Sequence, residues 1–283
     1  MVEMTLLPPS INCPAVRYNF AFPSFVPTMS LIPAPILDAL TLAHPSWHTV
    51  LVQGLNAIAQ ADPAYLPALA ADQFLPTEQR LFAAFAQPKA AVRYVLVGEG
   101  PYPRAESATG VCFMDGAVGN LWCDSGLAKP VNKATSLRNF MKMLLVADGQ
   151  LAADNTGGSA MAPVAAGALA NGQVQTLAQL QDNLTAHGFL LLNAALVFRP
   201  HVAPVLEARA WLPFLRTVLA ALADSTPTPT LVLWGKIAEQ LQRLPESVHL
   251  PQLVAEHPYK LSFIQHAGMQ ALFGPMQLLR LRS

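Results

Sequence analysis

The sequence predicts an α/β domain built on a four-stranded, mainly parallel sheet with helices on both faces. Four short apolar runs, at residues 93–98, 189–196, 230–235 and 249–258, alternate with segments of helical apolar spacing. Strands that are apolar along their whole length are typical of parallel sheets, because helices cover both of their faces. With 53% hydrophobic and 12% charged residues, the 283-residue chain can build a sizeable core.

The helices are predicted from apolar spacing and from the residues that begin them. The first helical pattern spans residues 32–60, with Ser46 as an expected N-cap, and the second spans 75–87. Ser136 is the expected N-cap of an amphipathic helix over 136–147. Four further helices are predicted over residues 177–188, 210–224, 236–243 and 268–283.

Two segments do not follow this alternation. Residues 1–28 are rich in proline and lack periodicity, which predicts an irregular arm before a single domain over residues 29–283. Residues 148–175 are small and rich in glycine and alanine. We expect a loop or an insertion there rather than a domain boundary.

Charge and cysteine content limit the class of protein. The 17 basic and 17 acidic residues argue against coating nucleic acid through bulk charge, although a local basic patch is allowed. Cys13, Cys112 and Cys123 have no metal-ligand spacing and predict no disulfide framework. No uncharged apolar run is long enough for a membrane span, and the amino terminus lacks signal-peptide features. We therefore expect a cytoplasmic monomer without membrane contact.

Polar side chains follow each predicted strand at the point where it ends. Glu99 and Tyr102 follow the first strand, and Asn193 lies at the end of the second. Lys236 follows the third strand and His257 the fourth. Because ligands bind at the carboxyl ends of strands in parallel sheets, these side chains predict one shared pocket.

An ordered set of sequence motifs carries a resemblance to a known family. The motifs are "WHTVL" at 47–51, "GEGPYP" and "GVCF" within 98–113, "SLRNFMKML" at 136–144, "GFLLLNAALVFRPH" at 188–201, "LVLWGKIAEQ" at 231–240 and "EHPYKLS" at 256–262. In this order and spacing they resemble the family-1 uracil-DNA glycosylases, from about Trp47 to near the carboxyl terminus. The resemblance implies the uracil-DNA glycosylase fold and a role in base excision repair. It also implies a single- or double-stranded DNA partner that contains uracil, with no cofactor and no metal.

The resemblance implies a role for each residue near the strand ends. Phe113 would stack on a base flipped out of the DNA, and Asn193 would pair with the uracil edge through an amide that both donates and accepts. Tyr102 would block the C5 position, where thymine carries a methyl group. His257 would donate to the carbonyl oxygen that gains charge as the base leaves, and Leu261 would fill the gap in the duplex.

Further residues fall in loops that would face DNA. They are Arg104, Lys133, Ser136, Arg138, Lys236 and Lys260. For the basic residues among them, contact with phosphate and a purely solvated surface both remain open. Taken singly, the base-binding candidates also have structural explanations. Phe113 and Leu261 are typical core residues, Asn193 could satisfy loop backbone groups, and His257 precedes a proline and could mark a turn.

The first motif departs from the family pattern. Gly100 stands where the family has an aspartate that positions water and faces the sugar, Pro103 stands for a histidine, and Glu99 stands for a glutamine. The proline-rich loop before the "SLRN" helix is replaced by residues 117–135. Three outcomes stay open. Glu99 takes over the role of the aspartate, or the enzyme is slow and relies on base binding, or the protein is an inactive DNA- or protein-binding homologue.

Overall fold

The structure, a computed structural model, describes residues 32–282, so the predicted arm at residues 1–28 lies outside the described residues. The helices are α1 (Ala34–Asp38), α2 (His48–Ala61), α3 (Tyr65–Ala70), α4 (Lys129–Lys133), α5 (Thr135–Ala147), α6 (Gly158–Ala170), α7 (Leu177–Ala186), α8 (Pro204–Ala223), α9 (Lys236–Leu241) and α10 (Ala267–Phe273). The strands are β1 (Tyr94–Gly98), β2 (Trp122–Cys123), β3 (Gly126–Leu127), β4 (Phe189–Asn193), β5 (Thr230–Trp234) and β6 (Gln252–Ala255).

The main sheet has four strands in the order β4-β1-β5-β6, and every neighbouring pair is parallel. Gly98 at the end of β1 lies opposite Asn193 at the end of β4, and Trp234 of β5 lies opposite Ala255 of β6. All four strands therefore end at one edge, which we term the carboxyl edge. The predicted α/β fold with a four-stranded parallel sheet is confirmed.

The sheet separates two hydrophobic cores. Val95 and Val97 of β1 pack into the core that α2 and α8 cover, whereas Leu96 packs into the core that α5, α7 and α10 cover. All five side chains of β4 are buried. Burial from both sides explains why the strands are apolar along their length.

Both predicted serine N-caps are wrong. Ser46 lies in a 3₁₀ turn before α2, where its hydroxyl accepts the backbone N–H of Lys89 at 2.9 Å. That partner lies 43 positions away, so no local sequence pattern could indicate it. Helix α5 begins after Ala134 without a side-chain cap, and Ser136 is its second residue.

The helix predicted over residues 75–87 is also wrong in type and extent. Only residues 80–85 are helical, as 3₁₀ turns. Glu78 and Gln79 adopt left-handed backbone angles, with φ of 59° and 57°, which an α-helix does not allow.

Residues 148–175, expected to be a loop or an insertion, contain helix α6. Alanine is the best helix former, and Met161, Ala165 and Ala168 on this helix are buried. The segment at residues 117–135 is ordered as well. It forms an antiparallel hairpin of β2 and β3, followed by α4.

None of the helices within residues 32–282 combines the length and apolar character needed to cross a membrane.

Candidate active site at the carboxyl edge

The site begins where β1 and β4 end side by side. Pairing continues past both strands, because Ala194 N–H donates to Gly98 O at 2.8 Å and Ala195 N–H donates to Glu99 O at 3.1 Å. A Cβ atom at Gly98 would lie 2.5 Å from Cys112 Sγ and 3.0 Å from Asn193 Oδ1. Only glycine therefore lets the Asn193 amide and the Cys112 thiol pack against the end of β1.

Asn193 is a buried amide without a protein partner. Its exposed fraction is 5%, and its side chain makes no hydrogen bond to any residue in the described part of the chain. Buried polar groups in proteins are nearly always hydrogen-bonded. The amide thus does not serve the loop backbone, and its donor and its acceptor are both available to a ligand.

Phe113 follows Cys112 on the loop after β1, with its backbone in the left-handed region at φ 68°. Such a φ is unfavourable for a bulky residue, so the surrounding structure must hold it. Thr109 Oγ1 accepts Val111 N–H at 3.2 Å and donates to Met114 O at 2.9 Å, which fixes this turn. The half-buried ring meets two others near 5.4 Å and at steep angles, those of Phe140 and Trp234. Neither ring stacks parallel to it.

His257 follows β6 at the carboxyl edge of the sheet. The backbone N–H of Tyr259 donates to His257 Nδ1 at 3.1 Å, so Nδ1 is an acceptor and the proton of the neutral ring resides on Nε2. A Cβ atom at Gly235 would lie 2.8 Å from His257 Cβ, so this glycine allows the ring to pack against the end of β5. Partial burial lowers the pKa of His257, and the charge of Glu99 opposes that effect.

Glu99 is an exposed carboxylate close enough to His257 to affect its protonation. Its side chain makes no hydrogen bond or ion pair with any residue between 32 and 282. The alternative in which the carboxylate bonds to backbone N–H groups is therefore not observed. Gly100 beside it has room for a side chain, because an added Cβ would meet only Ala195, at 3.6 Å or more.

Tyr102 lines the same loop and is half-buried. Burial, followed by the nearby Cys112 and Asp115, raises the pKa of Tyr102 to about 12, so its hydroxyl stays protonated at neutral pH. Arg104 forms ion pairs with Asp115 at 3.6 Å and with Glu106 at 3.9 Å. This arginine is therefore less free to contact DNA than the sequence suggested.

The loop that carries His257 is anchored by a buried asparagine that the sequence analysis did not assign. Asn139 of α5 is fully buried, and its Nδ2 donates to Pro258 O at 2.7 Å and to Tyr259 O at 3.3 Å. Leu261 at the end of this loop is 68% exposed and does not belong to the core. Asn139 lies within the quoted "SLRN" motif, which was the signal available for finding it.

Two relatives identify the family of this fold and site. The chain is 29% identical over 224 residues to the uracil-DNA glycosylase of Corynebacterium glutamicum, across 77% of this chain and 81% of that protein. It is 38% identical to the wild-type UNG of Nitratifractor salsuginis, whose crystal structure matches with a TM-score of 0.79 over 87% of this chain and 96% of that one. The chain belongs to the uracil-DNA glycosylase superfamily.

The mimivirus uracil-DNA glycosylase is a more distant structural neighbour, with a TM-score of 0.50 at 18% identity over 78% of this chain and 71% of that one. That likeness concerns the fold alone. No profile of a known protein family matches the chain.

The remaining candidates are Lys236, Lys260 and Ser136, at or near the amino terminus of a helix or on the loop after His257. Lys236 is the exposed first residue of α9, and Lys260 is exposed on the loop after His257. Ser136 is half-buried in the first turn of α5, and its hydroxyl has no partner in the described residues. Across residues 32–282, no three His, Cys, Asp or Glu side chains are grouped so as to hold a metal ion.

Asn139→Ala is expected to reduce both stability and any activity that depends on His257. The substitution removes the amide donor from the Pro258 and Tyr259 carbonyls, at a cost of about 1–3 kcal/mol. Thermal unfolding measures the first effect and uracil excision per folded molecule the second.

Asn183→Ala is the matched control for Asn139→Ala. Asn183 is also buried, and its Nδ2 donates to two carbonyl groups at 2.7 Å, far from the carboxyl edge. It should destabilise comparably without lowering excision by the folded protein. Equal losses of excision in both variants would show that the role of Asn139 is purely structural.

Proposed function

We propose that the protein hydrolyses the N-glycosidic bond of uracil, or of a related deaminated base, in DNA. The observation that carries the proposal is the buried, unpartnered amide of Asn193 at the carboxyl edge. A base flipped out of the strand can offer its hydrogen-bonding edge to this amide. Membership of the uracil-DNA glycosylase superfamily makes uracil the first base to test.

Base recognition follows from the donor and acceptor of one amide. Asn193 Nδ2 would donate to the O4 carbonyl of uracil, while Oδ1 accepts the adjacent N3–H. Cytosine has an amino group in place of O4 and an unprotonated N3, so it reverses both requirements. Phe113 would stack on the base, for about 1–3 kcal/mol, and Tyr102 would exclude a substituent at C5.

Departure of the base leaves negative charge on its O2 carbonyl. The N1–C1′ bond breaks with its electron pair going to the base, and the neutral His257 ring donates its Nε2 proton in a hydrogen bond to O2. The fixed acceptor role of Nδ1 supports this assignment, because it orients the Nε2–H before the reaction. A preorganised donor of this kind typically contributes about 2.7–4 kcal/mol.

Positive charge develops on the sugar as the base leaves, and a negatively charged group would stabilise it. As C1′ becomes electron-poor, the Glu99 carboxylate would stabilise it and accept a proton from the water that attacks C1′. The water oxygen then bonds to C1′, and the released base takes up a proton from solvent. The free carboxylate of Glu99, close to His257, supports this role.

Glu99→Gln tests the catalytic part of the proposal. The protein is incubated with a single-stranded oligonucleotide that contains one uracil, and strand scission at abasic sites is measured. Wild type should cleave, and Glu99→Gln should be slower by about a hundredfold or more, because a general base is lost while the side-chain volume is kept. Gly100→Asp on the Glu99→Gln background should restore part of the rate, since the site has room for that side chain.

A catalytically inactive, DNA-binding homologue is the second candidate. The observation that favours it is Gly100, which supplies no carboxylate at the position where the resemblance leads one to expect it. In that case no abasic sites form at any enzyme concentration, while uracil-containing DNA still binds more tightly than the uracil-free strand. Unchanged cleavage by Glu99→Gln would instead leave base binding and His257 as the source of catalysis.

The proposal includes a cytoplasmic monomer. Cys112 and Cys123 are both free thiols, which suits a reducing compartment. Light scattering of the purified protein measures the oligomeric state.

A further inference from the structure

A charged cavity lies beside the base site, between the loop after β1 and the start of α5. Its volume is about 590 Å³, and it is lined by Arg104, Asp115, Ala117, Val118, Lys129, Pro130, Lys133 and Ala134. Tyr102 of the base site is close enough to Asp115 and Arg104 for both charges to affect its pKa. Arg104 and Asp115 of the cavity lie on the same loop after β1 as the base-binding candidates Tyr102 and Phe113.

The charges around this cavity are unequal, with three cations and one carboxylate. Asp115 is buried and already occupied, because it accepts Ala117 N–H at 2.9 Å and pairs with Arg104 at 3.6 Å. Lys129 and Lys133 are exposed and have no ion pair or hydrogen-bonded partner for their ammonium groups within residues 32–282. Two positive charges are thus left uncompensated in a concave site.

The sequence of the segment that forms this wall is also biased in charge. Between Asp124 and Asp148 it has four basic residues and no acidic residue, although the whole chain has equal numbers of each. The basic residues are Lys129, Lys133, Arg138 and Lys142. This is the local basic patch that a neutral total charge allowed.

Hydrogen bonds within the segment hold the backbone that carries the two lysines. Ala128 N–H donates to Leu121 O at 2.8 Å across the base of the hairpin, and Asn132 Nδ2 donates to Leu127 O at 2.7 Å. Arg138 of α5 donates to Asn132 O at 3.2 Å, which joins α4 to α5. These bonds fix the backbone of this wall, while the two ammonium groups remain free to contact an anion.

We propose that this cavity binds a phosphodiester group of the DNA strand next to the flipped nucleotide, through Lys129 and Lys133. The identity of the strand rests on the proposed function. A phosphodiester group is an anion that lysine side chains commonly contact in DNA complexes, and such contacts position the strand without reading its sequence. This chain would thereby contact the backbone through charged side chains, at the place where the family has a proline-rich loop.

The test is DNA binding by a double variant as a function of salt. Full-length Lys129→Gln/Lys133→Gln is titrated with a uracil-free single strand between about 50 and 200 mM salt. Each lost phosphate contact should reduce the slope of log K against log salt by about 0.7. We expect a reduction of about 0.7–1.4 and binding about tenfold weaker at the lower salt.

Arg93→Gln/Arg243→Gln is the matched control. It removes the same charge at the opposite edge of the sheet, because Arg93 precedes β1 and Arg243 follows α9. It should leave the slope unchanged. An unchanged slope in the lysine variant, or an equal change in both variants, would overturn the cavity assignment.

The same proteins separate this inference from the proposed function. Binding to a uracil-free strand does not require excision. Lysine-dependent binding without abasic-site formation would support the phosphate site and count against the glycosylase activity. Excision by wild type that does not depend on the two lysines, together with an unchanged salt slope, would support the activity and refute the phosphate site.

Discussion

Asn193→Ala is expected to reduce kcat/KM for uracil excision by at least about a hundredfold, which corresponds to about 2.8 kcal/mol. The reason is that uracil then enters a buried pocket with the polar groups of its edge unpaired. The measurement is single-turnover formation of abasic sites, with the Kd for a uracil-containing strand measured in parallel. Binding should weaken as well, because the amide contacts the base before the bond breaks.

The fold should tolerate this change. The Asn193 side chain makes no hydrogen bond to residues 32–282, so alanine removes no internal hydrogen bond, and the melting temperature should stay the same or rise. Asn183→Ala again gives the comparison, since that amide donates to Leu278 O and Arg280 O at 2.7 Å. Destabilisation of both variants to the same extent, with normal excision by folded Asn193→Ala, would show that Asn193 is structural.

The placement of the site could be predicted because it depends only on the parallel direction of the strands. Each apolar run indicated a buried strand, and parallel strands must end at one edge, which brings Asn193, Glu99 and His257 to the same side of the sheet. The resemblance then implied a role for each of them. The placement of these three residues does not depend on contacts between distant side chains.

Side-chain partners could not be predicted, because they depend on packing between distant elements. The Ser46 hydroxyl follows a helical-capping pattern but bonds to Lys89, and Asn139 supports a loop about 120 positions away. Glu99 is the clearest example. The sequence allows two arrangements of Glu99, a carboxylate bonded to backbone N–H groups or an unbonded carboxylate near His257. Only the folded loop distinguishes the two.

Local composition alone does not distinguish loop from helix where propensity and packing act together. The small, glycine- and alanine-rich residues 148–175 predict a loop or an insertion, yet residues 158–170 form a helix whose alanines favour it and whose Met161, Ala165 and Ala168 are buried. For Leu261 the general rule predicts burial, because an isolated leucine is normally a core residue. Its position on the loop that Asn139 supports instead leaves it 68% exposed.

His257→Ala is expected to lower kcat by about 10²–10³, because the donor to the leaving carbonyl is lost. The effect should appear in kcat more than in binding, since the charge on that oxygen develops only as the bond breaks. His249→Ala is the control, because His249 is an exposed histidine that precedes β6 at the opposite edge of the sheet. It should leave kcat unchanged.

The pH profile of wild type tests the protonation state of the same ring. The pKa of His257 is lowered by burial, so the ring stays neutral from high pH to below its ordinary value of about 6.5. Protonation of Nδ1 at lower pH would set two N–H groups against each other, because Tyr259 N–H points at that atom. Activity should therefore be constant above about pH 6.5 and fall only as the pH decreases further. The residual activity of His257→Ala should lack this step, and a step that persists there would assign the titration to another group.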